Sequence, residues 1–232
     1  MKASYCSRIW GPLWSYVRPS TAVLSAVNAE TGRKLELEAI AHLAKAAKIP
    51  LVIDGVALMG KEPVIIPDGV MGMAFSAHKF HGPQGAGFAF VRSNFTLSPL
   101  LCGGGQERKL RSGTENLPAI VGMAKAVSLL KTPVYAKLTM LRDVFECELK
   151  KLLPDIEVNE AENRVSNTSH IYFPKVDHES LIIALDMKKI AASSTSACAS
   201  GSLEPSRALM AMGFSKKRAS CCVRFSFSRM NT

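Results

Sequence analysis

A lysine follows a serine–histidine pair in the stretch SAHKFHGPQGAG (Ser76–Gly87), directly after the apolar run MGMAF. Lysine is costly at the end of a buried strand, because its charge resists desolvation. An amine held there next to hydroxyl and imidazole groups is suited to form a Schiff base with a carbonyl compound. Lys79 is therefore the first candidate for a catalytic residue.

A carboxylate ends a second strand-like run, PLVIDG (Pro50–Gly55). Asp54 at this position is able to hold a protonated ring nitrogen, while Lys79 binds an aldehyde. Pyridoxal 5'-phosphate requires both groups. The pair therefore predicts a site for this cofactor.

The phosphate of such a cofactor needs hydrogen-bond donors. Ser76, His78 and the backbone amides near Gly82 and Gly85 lie in a small, donor-rich turn of the kind that binds phosphate. An alternative is a metal half-site made by His78 and His81, but no second pair with ligand spacing occurs in the sequence.

A cysteine lies in the small-residue stretch SSTSACASGSLEPS (Ser193–Ser206). Leu203–Ser206 indicates the start of a helix with Pro205 in its first turn, and a thiol just before a helix N-terminus is able to have a lowered pKa. The alternative is a buried thiol that acts as a small hydrophobe. The polar flanks favour a reactive Cys198.

The elements that must position these groups alternate between strand-like and helix-like segments. Leu35–Lys48 places Leu35, Ala39, Leu43 and Ala46 on one helical face. Continuous apolar runs around this helix favour a mostly parallel sheet buried on both faces, with ligands at the carboxyl ends of its strands. Further strand-like runs are AVLSAV, GMAFSAHK, GAGFAFVR, TSHIYF, KIAAS and CVRFSFSR.

The character of the sequence changes near Pro133. We expect residues 1–132 to form the cofactor-binding domain and residues 133–232 a smaller α+β domain that carries Cys198. The segment Leu101–Asn116 between them is a long polar loop, and loops of this length are usually functional or disordered.

Composition excludes several classes of protein. The 232 residues are 47% apolar and 21% charged, which is typical of a folded domain. The net charge of +10 comes from scattered basic residues in short runs, so we do not expect nucleic-acid binding. No run of 18 uncharged apolar residues occurs, so we expect no membrane partner. The six cysteines include no CxxC pair, which predicts free thiols in the cytoplasm. The first 20 residues, rich in basic and aromatic side chains, also resemble a transit peptide, which would place a eukaryotic protein in the mitochondrion.

Four segments, SAHKFHGPQGAG, GGGQERKLRSGTEN, SACASGSLEPS and VRFSFSRMNT, resemble in the same order the signature segments of the cysteine desulfurases of the NifS/IscS group. These are class V aminotransferase-like enzymes that use pyridoxal 5'-phosphate. The resemblance runs from about Arg18 to Thr232. It implies an α/β protein of fold type I, with a partial large-domain mixed sheet and a smaller α+β C-terminal domain.

The resemblance assigns roles to the cofactor site. Lys79 would carry the cofactor and later transfer protons, and Asp54 would keep the pyridine nitrogen protonated. Ser76 and His78 would hold the phosphate. Thr114, in the motif SGTEN, would reach the phosphate bound by the other subunit, which implies a homodimer.

The resemblance also implies the reaction. Arg229 would bind the carboxylate of L-cysteine with its guanidinium fork. Cys198 would take the sulfur as a persulfide and leave L-alanine. The sulfur would pass to an iron–sulfur scaffold or another acceptor protein. No intrinsic metal is expected, although Cys198 would be able to ligate an iron–sulfur cluster transiently.

The sequence departs from the family at several points. Its turn Asn28-Ala29-Glu30 has alanine where the family has the asparagine near the ring, so Asn28 is the expected substitute. Ala57 replaces a glutamine that touches the ring hydroxyl. The family's Thr-rich phosphate loop, its ring-stacking histidine and its last helix have no counterpart, which predicts a chain truncated at both ends. Alternatives to a desulfurase are a selenocysteine lyase and a non-catalytic partner-binding or degenerate fragment.

Overall fold

The computed structural model describes residues 20–159, 162–194 and 206–231, so Cys198 lies outside the described residues. The chain divides into two units. One comprises Met1–Ala26 and Glu36–Lys131, and the other comprises Val27–Leu35 and Thr132–Thr232. The short segment Val27–Leu35 thus belongs to the second unit, whereas the sequence grouped it with residues 1–132.

A four-stranded mixed sheet forms the centre of the first unit. Its strands lie side by side in chain order. The first three are parallel, and the fourth is antiparallel to the third. The elements are β1 (Ala22–Ser25), α1 (Leu37–Ala46), β2 (Leu51–Asp54), β3 (Val70–Ser76), a 3₁₀ turn (Ala77–Phe80), β4 (Gly87–Val91), a second 3₁₀ turn (Glu107–Lys109) and α2 (Leu117–Ser128).

The two central strands of this sheet are buried because their residues are apolar. Leu51 and Ile53 of β2 and Val70 of β3 are fully buried, and Met73 is 1% exposed. Continuous apolar runs of this kind are typical of parallel strands covered on both faces. The burial therefore agrees with the predicted α/β class.

Helix α1 buries a different face from the predicted one. Ile40, Ala41 and Ala44 are fully buried, whereas Ala46 is exposed and Leu43 is half-buried. Each residue turns a helix by about 100°, so a face one residue away along the chain points in a distinctly different direction. The predicted face is wrong because the folded unit buries the face of Ile40, Ala41 and Ala44 instead.

The second unit contains a three-stranded antiparallel sheet in the order β5-β6-β7. Helix α3 contacts β6, and α4 contacts β7. The elements are α3 (Thr132–Leu152), β5 (Glu157–Val158), β6 (Thr168–Tyr172), α4 (His178–Met187), α5 (Arg207–Ala211), α6 (Lys216–Ala219) and β7 (Cys222–Ser226).

One hydrophobic cluster holds the second unit together. Its centre is formed by Ile156, Ile171, Phe173 and Val223, which are all buried. Side chains of both helices pack against this centre, with Phe145 and Leu149 from α3 and Leu181 and Ile182 from α4. The arrangement of helices on an antiparallel sheet is the predicted α+β architecture.

One predicted strand of this unit is absent. The run KIAAS (Lys189–Ser193) is irregular, and in the described part of the chain only Ser193 forms a bridge, to Arg224 of β7. The short apolar run resembled a strand, but the chain leaves α4 through a turn whose amides bond back to the helix, at Lys189 and Ile190.

No single helix among the described residues has the length and apolar content to cross a membrane. Leu117–Ser128 and Pro133–Leu152 meet these criteria only when they are taken together as a bent pair.

Candidate active site

Two neighbouring parallel strands bring the first candidate residues to one edge of the sheet. Asp54, the last residue of β2, pairs in register with Ala74 of β3, and Ser76 ends β3 two residues later. The Asp54 side chain is exposed, and its Oδ1 accepts a hydrogen bond of 2.9 Å from the amide of Val56. The carboxylate is thus fixed by its own turn at the carboxyl end of the sheet.

The candidate lysine lies in the 3₁₀ turn that follows β3. Ala77 and Phe80 are buried and anchor this turn, so that His78 and Lys79 between them remain exposed. Ser76 Oγ and His78 Nδ1 lie 2.9 Å apart, within hydrogen-bonding distance. The turn therefore presents an amine, an imidazole and a hydroxyl at the same edge as Asp54.

The backbone after the turn is partly committed to internal hydrogen bonds. The amides of His81 and Gly82 both bond to the carbonyl of Ala77, and the Gly82 bond is 2.8 Å long. The Gly82 amide, one of the phosphate donors predicted from sequence, is therefore engaged. Gly85 is surrounded by open space, because a β-carbon added to it would meet no atom within 4 Å.

The alternative metal site gains no ligands from the structure. His81 has a left-handed backbone, with φ of 68°. Within residues 20–159, 162–194 and 206–231, no group of three or more His, Cys, Asp or Glu side chains is arranged to hold a metal ion.

A second lysine, which sequence patterns did not identify, contacts the turn of Lys79. Lys61 Nζ donates hydrogen bonds to the carbonyl of Lys79 at 2.5 Å and to that of Met59 at 3.2 Å. Burial, and then the charge of Lys79, lower the pKa of Lys61 to about 8. The only sequence signal for this lysine is its place in a Gly–Lys pair shortly after Asp54.

Thr114 lies exposed in the polar loop that precedes α2. This loop is held by its own contacts, such as the bond from the Gly113 amide to Gln106 Oε1 at 3.2 Å. The predicted role of Thr114 toward a second subunit stays a prediction.

Asn28 and Arg229 belong to the second unit. Asn28 Oδ1 accepts bonds from the amides of Glu30 and Thr31, each at 3.0 Å, so its oxygen stabilises the turn in which it lies. Nη1 of Arg229 is buried without a hydrogen-bond partner among the described residues.

Arg224 is a further arginine of this unit that sequence patterns did not identify. Its Nη1 donates to the carbonyl of Ala29 at 2.6 Å, and its Nε is buried without a partner in the described part of the chain. Burial lowers the pKa of Arg224, which the charge of Glu30 partly offsets. The sequence feature that could have identified Arg224 is its position as a charged residue between the apolar Val223 and Phe225 of a half-buried strand.

Both ends of the segment that carries Cys198 attach to the surroundings of Arg224. At the entry, Ser193 and Arg224 exchange backbone hydrogen bonds of 3.1 and 2.8 Å. At the exit, Ser206 Oγ donates to Glu30 Oε2 at 2.6 Å and accepts from the Leu209 amide at 3.2 Å. Burial raises the pKa of Glu30, while Ser206 and Arg224 oppose this shift.

Comparison with known proteins finds relatives among the cysteine desulfurases. The class-V aminotransferase family model matches residues 11–232. A cysteine desulfurase from Trichormus azollae is 40% identical over 211 residues, which cover 88% of this chain and 52% of that protein. The cysteine desulfurase IscS of Dictyoglomus turgidum is 35% identical over 223 residues, which cover 93% of this chain and 57% of that protein. The chain thus spans about half the length of these relatives.

Solved structures give the same result. A NifS-like protein from Rickettsia africae is similar with a TM-score of 0.83 and 29% identity, over 96% of this chain and 61% of that one. The structure of SspA in complex with cysteine has a TM-score of 0.73 and 27% identity, over 96% of this chain and 63% of that one. These similarities confirm the predicted fold type I. The chain therefore belongs to the class V aminotransferase family and is similar to cysteine desulfurases.

Proposed function

We propose that this chain binds pyridoxal 5'-phosphate and acts as a cysteine desulfurase. One observation carries the proposal: Lys79 and Asp54 lie exposed at the same edge of one sheet, beyond the ends of adjacent parallel strands. Ligands of open α/β sheets gather at this edge. The family and its cysteine desulfurase members support the choice of cofactor and reaction.

The chemical groups at this edge fit those of the cofactor. An amine is available for its aldehyde at Lys79 and a carboxylate for its pyridine nitrogen at Asp54. The adjacent hydroxyl of Ser76 and imidazole of His78 suit a phosphate. When bound, the cofactor supplies an electron sink that weakens bonds at the α- and β-carbons of an amino acid.

The net reaction needs no external oxidant. The bond between Cβ and sulfur of L-cysteine breaks, and the sulfur forms a new S–S bond with Sγ of Cys198. Cβ keeps the electron pair and takes up a proton to become the methyl group of L-alanine. The substrate carbon is thereby reduced while its sulfur is oxidised to a persulfide. Lys79 would move protons to and from the substrate carbons with its exposed amine.

Two arginines are candidates for the substrate carboxylate. Arg229 is the expected one, and its buried Nη1 lacks a partner among the described residues. Arg224 competes with it, because Arg224 contacts Ala29, at the position that the family places near the ring. Replacing each by lysine removes the guanidinium fork. The variant with the larger rise in KM for L-cysteine identifies the carboxylate ligand.

We propose the remaining partners on the same basis. The persulfide sulfur passes from Cys198 to an iron–sulfur scaffold or another acceptor protein, with the cluster as cargo. Two copies of the chain pair so that Thr114 of each serves the other's phosphate. Neither nucleic acid nor membrane takes part, and the reaction takes place in the cytoplasm, or in the mitochondrion of a eukaryote.

Absorbance spectroscopy tests the proposal. Purified protein titrated with pyridoxal 5'-phosphate should develop the visible band of a lysine conjugate. Lys79→Ala should abolish this band, and Lys125→Ala, which removes an exposed lysine of α2, should keep it. Cys198→Ala should keep the band and abolish sulfide release from L-cysteine.

Other outcomes identify the alternatives. The absence of a band in the unmodified protein contradicts the proposal and favours a non-catalytic role. Turnover of selenocysteine without turnover of cysteine identifies a selenocysteine lyase.

A further inference from the structure

The loop after β2 leads from Asp54 to β3 and contacts the turn of Lys79 on its way, through Gly60 and Lys61. It leaves Asp54 through the Val56 amide bond, and the Gly55 amide donates to the carbonyl of Ala74 in β3 at 2.9 Å. Leu58 and Met59 are buried and hold the middle of the loop in place. The first part of the loop, from Gly55 to Met59, is therefore held against the sheet.

The loop backbone lies directly against the turn. Gly60 has φ of +83°, and a side chain there would begin 2.8 Å from Cβ and 3.4 Å from Cα of Phe80. Phe80 is 1% exposed, so it cannot move aside easily. Only glycine allows this approach, which brings the next residue, Lys61, to the end of the turn.

Lys61 occupies the position where a helical turn leaves carbonyls without partners. The carbonyl of Ala77 accepts the closing bonds of the turn, and the carbonyl of Lys79 accepts from Lys61 Nζ at 2.5 Å. A cation at the C-terminal end of a helical turn also interacts favourably with its dipole. Because the pKa of Lys61 is about 8, the amine is mostly protonated at neutral pH and is a strong donor.

We propose that Lys61 is a positioning residue, which holds the backbone of Lys79 so that the Lys79 amine meets the cofactor aldehyde beside Asp54. The inference rests on the proposed function. Lys61 is assigned no contact with cofactor or substrate; it acts through the carbonyl of Lys79. Loss of Lys61 would free the end of the turn and let the Lys79 side chain sample unproductive directions.

The test compares Lys61→Met, which keeps the length of the side chain without its charge, with Lys61→Arg, which keeps a cationic donor. Lys45→Met is the matched control, because Lys45 is an exposed lysine of the same unit that pairs with Asp68 at the surface. Two quantities are measured: the rate at which added pyridoxal 5'-phosphate attaches covalently, and the induced circular dichroism of each bound cofactor.

We expect Lys61→Met to attach the cofactor about tenfold more slowly, as loss of a charge-assisted hydrogen bond predicts, with a weakened induced signal. Lys61→Arg should recover most of both, and Lys45→Met should match the unmodified protein. Unchanged attachment and an unchanged signal in Lys61→Met would overturn the inference.

Hydrogen exchange without cofactor separates this inference from the proposed function. The amides of His81 and Gly82, which close the turn, should exchange faster in Lys61→Met than in Lys61→Arg. If the unmodified protein attaches no cofactor, the proposed function fails, and the exchange rates still decide whether Lys61 holds the turn. Equal rates in both variants contradict the inference.

Discussion

Ser206 holds the C-terminal end of the segment that carries Cys198 through two hydrogen bonds, one to Glu30 and one from the Leu209 amide. The contributions of these two bonds can be measured separately. Ser206 is 9% exposed, caps α5 through the Leu209 amide and donates to Glu30. Loss of an N-cap costs about 1 kcal/mol, and loss of a charge-assisted hydrogen bond costs about 1.5–3 kcal/mol. Ser206→Ala removes both, so we expect a local loss of about 2 kcal/mol or more.

Hydrogen exchange measured by mass spectrometry on the peptide that covers α5 reports this loss. An increase of about 30-fold in exchange rate corresponds to about 2 kcal/mol. Ser206→Asp keeps a good capping residue but places a carboxylate against Glu30. It should therefore restore little of the protection of α5 against exchange. We expect both variants to release sulfide more slowly than the unmodified protein. Full protection in Ser206→Asp would refute the role of Glu30, because the cap alone would then explain the anchor.

Two further predictions concern the stability of the second unit. Burial, and then the charges of Arg224 and Arg218, lower the pKa of His170 to about 4, so the unfolded chain binds a proton that the folded chain excludes. The free energy of unfolding should consequently fall by about 3 kcal/mol as pH decreases from 6.5 to 4. Urea titrations at several pH values should show that His170→Gln makes this free energy depend less on pH. An unchanged pH dependence in His170→Gln would be inconsistent with a neutral, buried imidazole. The pair of Glu146 with Arg164, at 2.7 Å and with side chains 9% and 12% exposed, predicts that Glu146→Gln costs about 3 kcal/mol. Replacing both residues by leucine and methionine should cost much less, because no buried guanidinium then lacks the Glu146 carboxylate, and equal costs would rule out this cause.

The sheet of the first unit was predictable because each of its central strands corresponds to one short run of consecutive apolar residues. The runs that became β2 and β3 are continuously apolar and end in polar residues, so their burial and the location of Asp54 and Ser76 at the carboxyl edge follow from sequence. The face of α1 was not predictable in the same way. Alanines fit either side of a helix, and only the packing of the folded unit selects Ile40 and its neighbours.

The positioning contacts were hidden because they join residues far apart in sequence. Little in the local sequence distinguishes Lys61 from other lysines. Its role depends on the close approach of the Gly60 backbone to Phe80, which brings the Lys61 amine to the turn of Lys79. Arg224 lies in a run that the sequence identified only as a strand, but within the second unit it contacts the carbonyl of Ala29. Such contacts depend on tertiary structure and leave only faint signals in composition or periodicity.

The most direct test of the central claim is to identify the residue that carries the cofactor. Protein loaded with pyridoxal 5'-phosphate is reduced with borohydride, digested and analysed by mass spectrometry. We expect the reduced cofactor on Lys79, with much less of it in Asp54→Asn than in Asp54→Glu. Labelling of other lysines, or equal labelling of Lys79 in both Asp54 variants, would contradict the claim that these two residues form one cofactor site.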